Sequence, residues 1–260
     1  MDAAHFSAPD VNSPRAAVEG EALLPDGSRL LWALSRREFG PMSFNGHPEW
    51  DVAHNRISFL RLYDLSLDRV VAAGLAHTAN VKIVGGADAR RGAREFSSAP
   101  PETDALLTRE TNLVLMTTHA DCMPVWLYAP ASGWIGLAHV GWRGLAAGVV
   151  RNLIEAVPED ERAGVTVAIG PGIGVDHYEV SGEVAARFRA DATLAPAVVE
   201  RDGRTFLDLL SGAKLQAEAA GAAVNTEAFA CTFSHEYLSS RRRDGESFAP
   251  MAAIITRTAP

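Results

Sequence analysis

Three short apolar runs follow one another in the middle of the chain, TNLVLMTT at 111–118, PVWLYA at 124–129 and GWIGLAHV at 133–140, separated by short stretches that carry polar residues or proline. Short runs rich in β-branched and aromatic residues and bounded by turn-formers read as strands, and strands apolar on both faces belong to a covered sheet. These runs are expected to form the sheet core. GWRGLAAGVVRNLIEAV comes next and repeats Leu145, Val149, Leu153 and Val157 at helical spacing behind a glycine-rich entry, so a strand feeds a helix there.

The flanking segments keep alternating. SRLLWALSRREFGPMSFNG reads as a strand running into a Gly-Pro turn, and DVAHNRISFLRLYDL as a helix face carrying Val52, Ile57, Leu60 and Leu62. DRVVAAGLAHTANVKIV reads as strand, histidine-bearing break, strand. GGADARRGAREFSSAPPE has no period and is expected to be a surface loop long enough to cover a neighbouring site. VTVAIGPGIG is a buried strand ending in a glycine-rich loop, GEVAARFRA and LDLLSGAKLQAEAAGA are amphipathic helices, and AAIITRT is a closing strand. Such alternation predicts an α/β or α+β core. Residues 1–20, which hold His5, read as a loose tail, and 21–260 as a single catalytic domain without repeat or linker.

Of the 260 residues 47% are hydrophobic, enough for a large core without covalent staples, and the two cysteines, Cys122 and Cys231, read as thiols of a reducing compartment. A formal net charge of −8 argues against binding nucleic acid or acidic membrane. No run reaches the ~18 to 20 apolar residues of a membrane span, and the first residues lack a basic then apolar leader. A cytoplasmic monomer is expected.

Cys122 lies in HADCMP, in the turn between the first two runs, where a free thiol is most often a buried structural residue. His139 ends the run GWIGLAHV, a place from which side chains project into sites, although a core histidine bonded to backbone looks the same in sequence. His77 breaks two apolar runs. Taken together, two imidazoles and one thiolate are a standard ligand set for catalytic Zn²⁺, with bonds of ~2.0 to 2.3 Å and an open fourth position. His119 is the best substitute ligand, with His177 and His235 as further competitors.

In combination GLAHTANV, DALLT, HADCMPV, HVGWRGLAAGVV, AIGPGIG, YEVSGEV and LSSRRRD resemble the family labelled laccase-domain or polyphenol oxidase, over roughly residues 25–256. The family is understood as zinc-dependent purine nucleoside phosphorylases with adenosine deaminase activity, some members being named peptidoglycan editing factors. The resemblance implies an α+β domain with a mixed β-sheet core and helices packed outside, layered α/β/β/α and similar to the cytotoxic necrotizing toxin-like fold. It places the zinc on His77, Cys122 and His139. This chain has Leu75 and Thr78 where the family has Gln and Gly around the first histidine, His119 where Thr precedes Ala-Asp-Cys, and Ala249-Pro250 where Gly-Arg is usual.

The older label implies copper, but a trinuclear cluster draws on His-x-His pairs, and the eight histidines here form none. The usual zinc deaminase signature is also missing: His47-Pro48-Glu49 matches its first half by chance, and there is no CxxC. The resemblance therefore implies phosphorolysis of purine nucleosides (adenosine, inosine, guanosine, methylthioadenosine) and adenosine deamination in one zinc site, with nucleoside and phosphate as partners. Phosphate needs cations, and Arg56, Arg143 and Arg242 are the candidates, with Asn45 as a further substrate contact. Arg143 ranks first because it follows His139 by four residues and heads a helix. Asp121 is expected to act beside Cys122 as general base or as a partner of the ligands, the alternative being a structural carboxylate. Two rival readings are a Cys-His hydrolase with Cys122 as nucleophile, and a non-catalytic purine-binding protein.

Overall fold

The structure, a computed structural model, describes residues 16–259. In chain order its strands are β1 (Val18–Leu23), β2 (Arg29–Leu34), β3 (Val70–Ala72), β4 (Val81–Ile83), β5 (Ala105–Thr108), β6 (Val114–His119), β7 (Met123–Ala129), β8 (Trp134–Val140), β9 (Thr166–Ile169), β10 (Val198–Arg201), β11 (Arg204–Leu207), β12 (Ala223–Asn225) and β13 (Met251–Thr258). Its helices are α1 (Glu49–Leu60), α2 (Trp142–Ala146), α3 (Val149–Glu155), α4 (Gly182–Arg189), α5 (Leu209–Ala219) and α6 (Arg241–Asp244). Strands β1, β2, β13, β6 and β3 form one mixed sheet in that order, and β12, β9, β7, β8, β5 and β4 another. No helix among the described residues is long and apolar enough to cross a membrane.

The two sheets pack face to face because their strands are apolar on both sides. In β7, Trp126 and Tyr128 point to the other sheet, with Trp32, Leu115 and Ile255, while Val125 and Leu127 point outward to Leu145, Val149, Leu153 and Ala213. In β13, Met251, Ala253 and Ile255 face inward, and Ala252 and Ile254 join Phe59 and Leu60 of α1 outside. This period of two gives three core layers between four layers of structure, α/β/β/α. The α+β class and the outer helices agree with the sequence reading.

Three details differ from that reading. The first two central runs do not share a sheet: β6 belongs to the five-stranded one, and the chain crosses at 120–122 into β7 of the other. Asp121 makes the crossing with a left-handed φ of 79°. The expected tail runs too far, since Ala16, Ala17 and Val18 are buried and β1 pairs with β2 from Val18 onward; residues 1–15, His5 included, lie outside the described residues. The helix after β8 is two helices broken at Gly148, whose φ is 93°. Gln216 of α5 stabilises the break, accepting the Val150 N–H at 3.0 Å and donating to the Leu145 carbonyl at 3.1 Å. Replacing Gly148 with Ala forces a Cβ into the left-handed region and is expected to lower stability by roughly 1–2 kcal/mol, read as a shifted urea midpoint at unchanged m-value.

Candidate metal centre

Of the four places where the chain passes between the sheets, two contribute to one cluster. His77 lies in the passage from β3 to β4, Cys122 in the passage from β6 to β7, and His139 near the end of β8, opposite Pro124. The nitrogen, sulfur and nitrogen donors of His77, Cys122 and His139 all lie within 4.8 Å of one another. Gly141 permits this approach: a Cβ there would stand 2.6 Å from the Cys122 sulfur and 3.4 Å from the His77 ring.

Asp104, at the head of β5 and fully buried, holds the cluster from behind. Its Oδ1 accepts the His77 backbone N–H at 3.0 Å and hydrogen-bonds His139 Nδ1 at 3.0 Å. Its Oδ2 accepts the N–H groups of Ala76 (3.1 Å) and Thr78 (2.7 Å) and the Thr78 hydroxyl (2.9 Å). The Asp104 carbonyl also accepts the His139 N–H at 2.8 Å. Three successive N–H groups converging on one carboxylate hold His77 in a left-handed conformation, φ 58°. Burial alone would raise the Asp104 carboxyl, but the hydrogen bonds from His139, Thr78 and Ala76 outweigh it and bring it to about 2. A carboxylate can only accept, so His139 carries a proton on Nδ1 toward Asp104 and turns its Nε2 to the cluster.

Burial raises the Cys122 thiol, yet the charges and hydrogen bonds of His139 and His77 more than reverse this and draw it below the ordinary cysteine range. The same pairing, with Asp104, lifts His139 above the ordinary histidine range against its burial. Without a metal the thiolate and the protonated His139 ring stabilise each other, and a Zn²⁺ held by His77, Cys122 and His139 would take the place of the Nε2 proton, a donor set of two imidazoles and one thiolate that suits that ion.

His119, the expected substitute ligand, has neither ring nitrogen available. Its Nδ1 donates to the Cys122 carbonyl at 3.1 Å, so its Nε2 accepts from the Thr117 hydroxyl at 2.7 Å. Burial and the charge of His139 push it well below the usual range, and it stays neutral.

The cluster opens into a cavity of about 610 Å³. His77, Cys122, His119 and His139 line one end, Phe44, Phe96 and Phe248 supply apolar walls, and Asn45, Arg56 and Arg241 supply polar ones. The long 85–102 loop covers one side through Gly92, Phe96 and Ala99. Asn45 and Arg56 thus line the same cavity as the cluster, but four of the five Arg56 N–H groups are engaged by the carbonyls of Met42, Gly92 and Ala93.

The other candidates sit elsewhere. Arg242 extends its guanidinium away, to the carbonyls of His177 and Glu179 at 3.2 Å each, because its own N–H is held at 2.7 Å by Asp121. Asp121 has both oxygens engaged, the second by the Thr232 hydroxyl at 2.6 Å, and so ties the 231–242 loop to the Cys122 turn. Arg143 lies over the Trp142 ring at 4.4 Å, exposed on α2, and is not among the residues lining the cavity. The sequence reasoning missed Asp104 and Arg241. Both lie inside motifs it quoted, DALLT and LSSRRRD.

Residues 41–258 match the family model described as multi-copper polyphenol oxidoreductase laccase. The chain belongs to this family. Purine nucleoside phosphorylase YlmD of Geobacillus stearothermophilus is 33% identical over 226 residues, covering 82% of this chain and 81% of its own. The crystal structure of YlmD from Geobacillus stearothermophilus superposes with a TM-score of 0.81 at 28% identity, covering 100% of both chains. That of the hypothetical protein YfiH of Bacillus licheniformis superposes with a TM-score of 0.83 at 22% identity, covering 96% of this chain and 99% of the other, which speaks for the fold.

Within this laccase-like family, the replacements found here fall on the walls of the cluster. Thr78 adds a hydroxyl to the Asp104 carboxylate, His119 braces the Cys122 carbonyl, and Pro250 lines the cavity while its carbonyl accepts the Met42 N–H at 2.9 Å. Asp104→Asn removes acceptors from this clamp and should weaken Zn²⁺ binding by roughly 10- to 100-fold, measured by competition with a chromophoric chelator. Gly141→Ala, whose backbone φ of −99° any residue adopts, should weaken it too by displacing the Cys122 sulfur.

Proposed function

We propose that this protein is a zinc-dependent purine nucleoside phosphorylase that also removes the amino group of adenosine. The observation that carries the reading is the convergence of His77, Cys122 and His139 at the end of an aromatic-walled cavity of about 610 Å³, within the range of nucleoside-sized sites. Relatives bearing the name purine nucleoside phosphorylase over most of the chain support it. His77, Cys122 and His139 would hold the zinc. When bound, the metal supplies the electrophile that both phosphorolysis and hydrolytic deamination require.

The chain's own residues then do the following. Asp104 keeps the proton on His139 Nδ1 and fixes the backbone of His77, so that the donors are set before substrate arrives. Phe44, Phe96 and Phe248 line the cavity and would supply aromatic surface to a purine. Arg56 carries a cation into the wall with no carboxylate partner among the described residues, its charge carried by three carbonyls and the Phe44 ring 4.4 Å away. Burial brings this guanidinium down to about 9, and a nearby anion would favour its charged form.

A second reading has one observation in its favour: Cys122, His139 and Asp104 form a nucleophile, base and orienting carboxylate in sequence, the arrangement of a Cys-His-Asp hydrolase. His77 argues against it, since a nucleophilic thiolate needs no second imidazole within 4.8 Å.

Zinc-quantified protein incubated with adenosine, with and without phosphate, separates these readings. Phosphate-dependent release of adenine and ribose phosphate, together with inosine formation, is expected, slow beside dedicated enzymes and abolished in His139→Ala. An activity that survives metal removal but is killed by alkylating Cys122 would establish the hydrolase instead.

A further inference from the structure

The structure assigns recognition of the anionic co-substrate to Arg241, a role the sequence reading gave to its neighbour Arg242 and, first of all, to Arg143. We infer that Arg241 binds inorganic phosphate, or a phosphate-like oxyanion, at the wall of the cavity that ends in His77, Cys122 and His139. The inference rests on the phosphorolytic reading above.

Consider the three consecutive arginines of α6. Arg243 is engaged throughout: it bonds the carbonyls of Thr232, Phe233, His235 and Leu238 and both carboxylate oxygens of Asp244. Arg242 bonds the carbonyls of His177 and Glu179. Arg241 alone of the three lines the cavity. Among the described residues its guanidinium has no hydrogen-bond or ion-pair partner, and it lies 5.2 Å from the Phe248 ring, a contact that steadies the side chain without using its N–H donors.

Register explains why Arg241 is the one. Asp121, beside Cys122, accepts the Arg242 backbone N–H at 2.7 Å and the Thr232 hydroxyl at 2.6 Å. That anchor fixes α6 against the Cys122 turn, directing Arg242 outward to the 177–179 segment and leaving Arg241 on the cavity side. The charge balance points the same way. The whole chain carries −8, yet the cavity wall holds two arginines, Arg56 and Arg241, against one carboxylate, Glu49. Arg56 is largely engaged by carbonyls, so Arg241 is the cation with a full planar fork to offer, the geometry that matches a phosphate edge.

The test is a calorimetric titration of the zinc-loaded protein with inorganic phosphate. Arg241→Ala should bind phosphate at least ~10-fold more weakly, as expected for loss of a charge-assisted pair of hydrogen bonds. Arg241→Lys should recover part of that affinity through charge alone, and Arg143→Ala should match the unaltered protein. Arg241 is exposed, so the variants are expected to keep their melting temperature, which is read alongside. Unaltered phosphate affinity in Arg241→Ala, loss of affinity in Arg143→Ala, or no phosphate binding by the unaltered protein would each overturn the assignment. If phosphate binds through Arg241 but no nucleoside is cleaved, the proposed function falls and the anion site stands.

Discussion

The carboxylate of Asp104 is the contact on which the rest of the cluster depends. One buried group accepts hydrogen bonds from three consecutive backbone N–H groups and a hydroxyl, and pairs with the ring of His139. A buried carboxylate is expensive unless its lone pairs are met, and here they are, so the charge becomes an organising centre rather than a liability. Because the same oxygen meets the His77 backbone and the His139 ring, the positions of the two imidazoles are coupled. Any movement of the 75–78 segment changes the relation between both histidines and the thiolate.

The site lies at the rim of the sandwich because the chain must cross there. A strand cannot turn from one sheet into the other without leaving extended conformation, and the two crossings that carry His77 and Cys122 each contain a non-glycine residue with positive φ, His77 at 58° and Asp121 at 79°. Such conformations cost of order 1–2 kcal/mol each and persist when surrounding contacts over-determine them. At these two crossings a carboxylate supplies those contacts: Asp104 clamps His77, and Asp121 bonds Thr232 and the Arg242 backbone. The two strained turns bring ligand residues together, and the helices outside the sheets are left to bury the outer faces.

What could be read in the sequence follows from how local each feature is. The strands and helices are written in short-range periodicity, and the donor residues are recognisable by chemical type, but His119, His177 and His235 compete for the role, and it is the resemblance to the family motifs that singles out His77, Cys122 and His139. Asp104 does not stand out, because the head of a strand reading DALLT carries no sign that residues 76–78 and 139 will converge on it. For the same reason RRRD looks like one cationic patch. Which arginine faces the cavity depends on a hydrogen bond across 121 residues of chain, from the Arg242 N–H to Asp121. The break at Gly148 did have a local signal, the glycine itself, but a helical pattern of Leu145, Val149 and Leu153 runs straight through it.

The donor set also bears on the family's copper label. A cluster of several coppers needs many imidazole nitrogens in one place, and a blue-copper centre needs two imidazoles and a thiolate with a weak axial ligand. Among the described residues the metal-competent group consists of His77, Cys122 and His139. The nearest further imidazole, His119, lies 5.4 Å from the His139 ring but has both nitrogens bonded to protein. His177 is stacked on Phe233 at 4.2 Å and His235 packs against Tyr237 at 5.4 Å, each away from the cluster. Two imidazoles and a thiolate do resemble the copper set, so the surroundings decide. The group adjoins a cavity lined by phenylalanines, asparagine and arginines, and Met116 of the lining belongs to the buried core with Phe59 and Ile254. A metal held by His77, Cys122 and His139 would face this cavity, the setting of an ion that acts on a substrate, and among the described residues no second such group of donors is present to hold a further ion.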